Sequence, residues 1–112
     1  MEIRVHAKRL SSKFKRELYR EIAKVDEWEF TSYSLDKISK RNIPVENLSG
    51  AVVKGTLIEY HTKDKDRRVL LRCVDGTCVV VDLDKHTIIT AYTNDAEFNH
   101  PNLNQSKYMF GA

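Results

Sequence analysis

Downstream of Gly55 the chain offers four β-branched and aromatic runs in succession. They read "TLIEYHT", "RRVLLRCV", "TCVVVDL" and "HTIITAYT", and the links between them are only "KDKD", "DG" and "DK". Runs joined this closely read as a four-stranded antiparallel meander. Asp75-Gly76 is a strong signal for a two-residue type I′ hairpin loop.

Upstream the apolar period changes from two to nearly four. Leu10, Phe14, Leu18, Ile22 and Val25 are spaced for one face of a helix, and Ser11 or Ser12 can cap it, which predicts a helix over about 12–24. "VDEWEF" reads as a short connection. "TSYSLDKISKRN" predicts a second helix, capped by Thr31 or Ser32, with Leu35 and Ile38 on its inner side. "PVENLSGAVVKG" predicts a third, with Pro44 in its first turn and Gly55 as its C′ residue. The fold class that follows is α+β, with N-terminal helices packed on one face of a four-stranded antiparallel β-meander.

The chain has 112 residues, enough for one domain with its own core. We expect a single domain over 1–112: a helical extension at 1–30, a helix–helix–four-strand core at 31–93, and a polar tail at 94–112. No apolar run reaches membrane-spanning length and the first residues lack a signal-peptide core, so a cytoplasmic protein without a membrane partner is expected. The net charge of +3 permits a nucleic-acid partner without demanding one. The denser basic residues of "RVHAKRLSSKFKRELYR" read first as a solvated helix face.

Turn lengths set the register, and the register sets which residues share a face. A two-residue Asp75-Gly76 loop places Cys73 opposite Cys78, Arg72 opposite Val79 and Arg68 opposite Leu83. An Asp84-Lys85 loop places Val79 opposite Thr90 and Thr77 opposite Tyr92. A four-residue "KDKD" loop places His61 opposite Arg68. Alternation then gives a buried face of Ile58, Tyr60, Val69, Leu71, Cys73, Cys78, Val80, Ile89 and Ala91. The other face carries Glu59, His61, Arg68, Arg72, His86, Thr90 and Tyr92 among Leu70, Val79, Val81 and Ile88. Arginine forks on such a face match phosphate oxygens, and Tyr and His can stack on a base or move a proton. The same residues also occur as ordinary cross-strand pairs on exposed sheets.

Cys73 and Cys78 flank the turn. A cross-strand disulfide is open to them in this register, but two buried thiols are the expected state in the cytosol. No His or Cys cluster completes a zinc site, and no Gly-rich phosphate loop, HExxH or nucleophile elbow is present, so neither metal nor cofactor is expected. Among the scattered histidines, His61 is the first catalytic candidate by its place beside Arg68, and His100 the second.

Residues 31–93 resemble the DUF4258-like domains of bacteria and phages, relatives of the RelE-like and colicin-type ribonuclease fold known as BECR. "SLDKISKRNI" and "PVENLSGAVVKG" match the two family helices. "TLIEYH", "RRVLLRC", "TCVVVDL" and "HTIITAYTN" match the four strands. The resemblance implies a small, toxin-like, metal-independent endoribonuclease in which a ribose 2′-hydroxyl attacks the adjacent phosphate. Carried over by position, Glu59 and Tyr60 match the end of the first family strand, Arg68 the basic residue opening the second, and Thr90 and Tyr92 the hydroxyl-bearing last strand; with His61 and Arg72 from the shared face, the candidate residues are Glu59, His61, Arg68, Arg72, Thr90 and Tyr92. The implied partners are RNA (tRNA or mRNA) and a protein inhibitor or host protein. The family often has a His at the start of its first helix, where this chain has Tyr33 or Ser34. That departure supports the alternative expectation, a non-catalytic phage or mobile-element protein of the same fold that binds a host protein or nucleic acid.

Overall fold

The computed structural model describes residues 2–93, apart from the side chains of Asn47 and Ser49. The strands are β1 (Glu2–His6), β2 (Glu29–Phe30), β3 (Thr56–Lys63), β4 (Asp66–Arg72), β5 (Thr77–Asp82) and β6 (Thr87–Thr93). The helices are α1 (Ser12–Ala23), α2 (Ser32–Lys40) and α3 (Val45–Lys54). All the strands join one six-stranded sheet in the order β1-β3-β4-β5-β6-β2. It is antiparallel except where β2 runs parallel to β6. The fold is therefore α+β around the expected β3–β6 meander. The polar tail at 94–112 and His100 lie outside the described residues. No described helix is long and apolar enough to cross a membrane.

The helices start where the sequence places their caps. Ser11 Oγ accepts the Phe14 amide at 3.1 Å, and the buried Leu18 and Ile22 carry the inner stripe of α1. Thr31 and Ser34 cap α2 reciprocally: the Ser34 amide donates to Thr31 Oγ1 at 3.0 Å and the Thr31 amide to Ser34 Oγ at 2.8 Å. Leu35, expected on the inner side of α2, is half exposed, and Ile38 and Ser34 are buried instead. Pro44 is the N-cap of α3, one position before the expected first turn. Gly55 ends α3 with φ −68°, not in the left-handed region expected of a C′ glycine. Close approach is what requires glycine there, since a Cβ would meet the Ala51 carbonyl oxygen and Leu71 Cβ.

Residues 1–30 are more than a helical extension. "EIRVH" alternates polar and apolar, and it forms the edge strand β1, paired with β3 from Glu2↔Lys63 to His6↔Glu59. Within the supposed connection, Glu29 and Phe30 pair with Thr87 and Ile88. Past this two-residue strand, Arg41 at the end of α2 covers the β6 edge, its Nη1 donating to the Ala91 carbonyl at 2.7 Å and to Thr90 Oγ1 at 3.3 Å.

Three features correct the expected register. His61 does oppose Arg68, but through a two-residue Asp64-Lys65 turn, and the β3–β4 pairing shifts at Ile58, between Leu57 and Glu59. The β4–β5 loop is not a two-residue type I′ turn. The Gly76 amide donates to the Cys73 carbonyl at 3.0 Å, the Cys73 amide donates to the Thr77 carbonyl at 2.8 Å, and Gly76 has φ 92°. This is a three-residue loop closed by a glycine bulge, and it slips the strands by one residue. Arg72 consequently opposes Cys78, and Arg68 opposes Asp82. The β5–β6 pairing keeps the expected register at its turn (Asp82↔Thr87) and shifts between Val80 and Val81, leaving Ile89 unpaired. Beyond that shift Val80 opposes Thr90 and Cys78 opposes Tyr92.

The helices cover one face of this sheet. Leu57, Val69, Leu71, Val79, Val81 and Ile88 pack with Leu18 and Ile22 of α1 and with Ala51 and Val52 of α3. Ile38, Ile43, Leu48 and Ala91 form a second cluster, and Phe30 packs against both. Val79, Val81 and Ile88 thus lie on the helix side, opposite to expectation, while Cys78 and Val80 lie on the other face. Cys73 and Cys78 sit on opposite faces as free thiols.

Candidate functional site

Pairing and alternation place Glu59, His61, Arg68, Arg72, Thr90 and Tyr92 together on the face away from the helices. His86 does not join them. It turns the β5–β6 loop at φ 53° and meets Trp28 edge-on, with ring centroids 5.9 Å apart.

The face is organised in rows that cross the strands. One row runs Arg4↔His61↔Arg68↔Asp82↔Thr87, one residue from each of β1, β3, β4, β5 and β6. Each contributes a buried polar atom with no hydrogen-bond partner among the described residues: Arg4 Nε, His61 Nε2, Arg68 Nε, Asp82 Oδ2 and Thr87 Oγ1. Buried polar atoms are rarely left so, which marks the row as chemically unspent. The contacts around it are long. Arg4 Nε lies 3.7 Å from Glu59 Oε1, His61 Nε2 lies 3.6 Å from Glu2 Oε2, and Arg68 Nη2 lies 3.8 Å from Asp66 Oδ2. Asp82 is fully buried, and its Oδ1 is spent on the Asp84 and Lys85 amides at 2.9 and 2.8 Å, which shapes the β5–β6 turn.

His61 stands between two guanidiniums. Burial is the main cause that pushes its pKa below the ordinary value, and Arg4 lowers it further, against an opposing pull from Glu2. The shift favours the neutral imidazole, the form able to accept a proton. His6, in the next row, is also pushed down by burial and by Lys8, and its Nδ1 accepts the Lys8 amide at 3.1 Å.

The six candidates do not form one centre. Thr90 and Tyr92 lie on β6, three strand spacings from Glu59 and His61 on β3, or about 14 Å. Arg72 lies between, beside Cys78, whose thiol burial pushes up to about 11, too high for a ready nucleophile. Acids stand among the cations of the face: Arg4, Lys63, Arg68, Arg72 and Lys85, which reaches Asp66 at 3.5 Å, are accompanied by Glu2, Glu59, Asp66 and Asp82. Among the described residues no group of three or more His, Cys, Asp or Glu side chains is placed to hold a metal.

Sequence reasoning missed Arg4, Glu2, Asp82, Thr87 and Arg41. The first two were legible in the strict alternation of "EIRVH". Arg41 carried no sequence signal, because its contact with Thr90 spans nearly half the chain. No family model, curated protein or solved structure matches the chain.

Proposed function

We propose that the chain is a RelE/BECR-like, metal-independent endoribonuclease whose reacting centre is the Arg4–His61–Arg68 segment of the helix-free face. The order of two helices and a four-strand meander supports the fold assignment. The observation that carries the activity is the placement of His61 between Arg4 and Arg68 in one row, each with a side-chain nitrogen unpaired among the described residues and with burial pushing the His61 pKa down. His61 takes the proton of a ribose 2′-hydroxyl, the freed oxygen attacks the adjacent phosphorus, and the 5′-oxygen leaves with a proton from solvent. Arg4 and Arg68 take up the charge on the phosphorane. Glu59, 3.7 Å from Arg4, positions that guanidinium, and His61 is the base. Thr90, Tyr92 and Arg72, further along the face, contact neighbouring nucleotides.

A second reading has its own support. Ser34, at the family's His position, is buried and committed to the cap of α2, and Tyr33 is exposed beside Lys37. Together with the separation of about 14 Å and the acids standing among the arginines, this favours a non-catalytic protein that binds nucleic acid or a host protein on the same face.

The test is total RNA or tRNA incubated in EDTA with wild type, His61→Ala and Arg68→Ala. Cleavage to 2′,3′-cyclic phosphate ends, reduced on the order of a hundredfold or more in both variants, supports the enzyme. Salt-sensitive RNA binding without cleavage, lost in Arg68→Ala, selects the second reading with nucleic acid as partner. Neither cleavage nor binding removes RNA from both readings.

A further inference from the structure

The opposite side of the molecule carries a groove that the ribonuclease reading does not use. It opens at the seam between the two core clusters. Its floor is Ile22, Trp28, Phe30, Leu48, Val52 and Ile88, and its volume is about 380 Å³. Binding clefts of this size and apolar character are few per protein. One wall is α3, where Val45 and Val53 are 54% and 72% exposed. Large apolar side chains held in water beside a concave apolar floor mark an interaction surface.

The other wall is acidic. Asp26 and Glu27 line the groove, both are exposed, and neither forms an ion pair among the described residues. This is a local inversion in a chain of net charge +3. It disfavours phosphate-bearing partners here and attracts cations. The nearest exposed backbone is β2, whose two residues are too few to hold an extended peptide by ladder pairing. An amphipathic helix meets these constraints, with apolar residues at i, i+3 or i+4, and i+7 on the floor and basic residues against Asp26 and Glu27.

We propose that the groove between α3 and the 25–30 segment docks a basic amphipathic helix of another polypeptide. The proposal stands independently of any RNA chemistry, because the two sites lie on opposite sides of the sheet.

Trp28 is the chain's single tryptophan and lines the groove, so its emission reports occupancy directly. The full chain is titrated with two synthetic helical peptides that share one leucine pattern, with lysine at every polar position in the first and glutamate in the second. The lysine peptide saturably shifts Trp28 emission, and the glutamate peptide does not. Neutralising the wall with Asp26→Asn and Glu27→Gln together weakens binding about two- to thirtyfold, the range of two surface ion pairs. Val53→Asp, at a site exposed enough to leave folding intact by circular dichroism, weakens it at least about tenfold. An unmoved Trp28 overturns the proposal, as do equal binding of the two peptides and indifference to Val53→Asp. A Trp28 shift on raising protein concentration alone, with a dimer in sedimentation, also overturns it by giving the groove to a second copy of the chain.

Discussion

Arg67 and Arg68 are neighbours in sequence and face opposite ways, so replacing each with alanine should damage different properties. Arg67 points to the helix side. Its Nη2 donates to Glu21 Oε1 of α1 and to Asp84 Oδ1 of the β5–β6 loop, both at 2.6 Å, and its Nε adds a bond to Asp84 at 3.1 Å. The three side chains are 35%, 37% and 45% exposed, so solvent screens them. Two bidentate surface pairs at the upper end of the usual range give a loss of about 1–2 kcal/mol for Arg67→Ala. In a domain of this size that corresponds to roughly 4–15 °C in Tm. Among the described residues Arg68 has one ion pair, with Asp66 at 3.8 Å, and Arg68→Ala should cost less stability than Arg67→Ala while abolishing anion binding on the helix-free face. The assay is urea denaturation of both variants, repeated in about 1 M NaCl, where a Debye length near 3 Å should at least halve the Arg67 effect. The acid limb gives a second check. Arg67 holds the Asp84 carboxyl below its ordinary value of 3.8, so that stabilisation is complete above about pH 4 and is lost as pH falls through the lowered folded value. The wild-type advantage over Arg67→Ala should shrink there. Equal stability losses for the two variants, or an Arg67 effect below about 0.3 kcal/mol, would refute the assignment.

The two helix glycines of α3 should respond with opposite signs. A Cβ at Gly50 meets nothing within 4 Å, so Gly50→Ala should stabilise by about 0.5–1 kcal/mol in the same urea experiment. At Gly55 a Cβ would be driven against the Ala51 carbonyl oxygen, and Gly55→Ala should cost about 1–3 kcal/mol. The hairpin register is open to a covalent test: Arg72→Cys in a Cys73→Ser background should oxidise readily with Cys78, its cross-strand partner at a non-hydrogen-bonded site. Native Cys73 and Cys78 should stay reduced under the same mild oxidant, as counted by thiol labelling and mass.

The helices, their caps and the meander were legible because caps and periods are local. The sheet faces were legible only in part, and the errors have one source. His61 and Arg68 are fixed by the β3–β4 turn, and alternation within those strands carries Glu59 and Arg72 with them. Thr90 and Tyr92 reach the expected face through two offsetting shifts, since the glycine bulge at Gly76 flips β5 and the shift at Ile89 flips the far half of β6 back. The misplaced residues are those between the two shifts: Cys78, Val79, Val80, Val81, His86 and Ile88. "CVVV" is apolar at both parities, so its pattern cannot set a register. The deciding signal lay one residue further on. In the two-residue-turn register Asp82 shares the helix-covered face with Cys78 and Val80, opposite Val69 and with no cation facing it. The bulge at Gly76 instead turns Asp82 to the helix-free face, opposite Arg68 and beside Thr87, and puts Leu83 at 1% exposure in the core. The bulge and the face that Asp82 takes thus go together, and the polar row on which the proposed chemistry depends is complete only in that register.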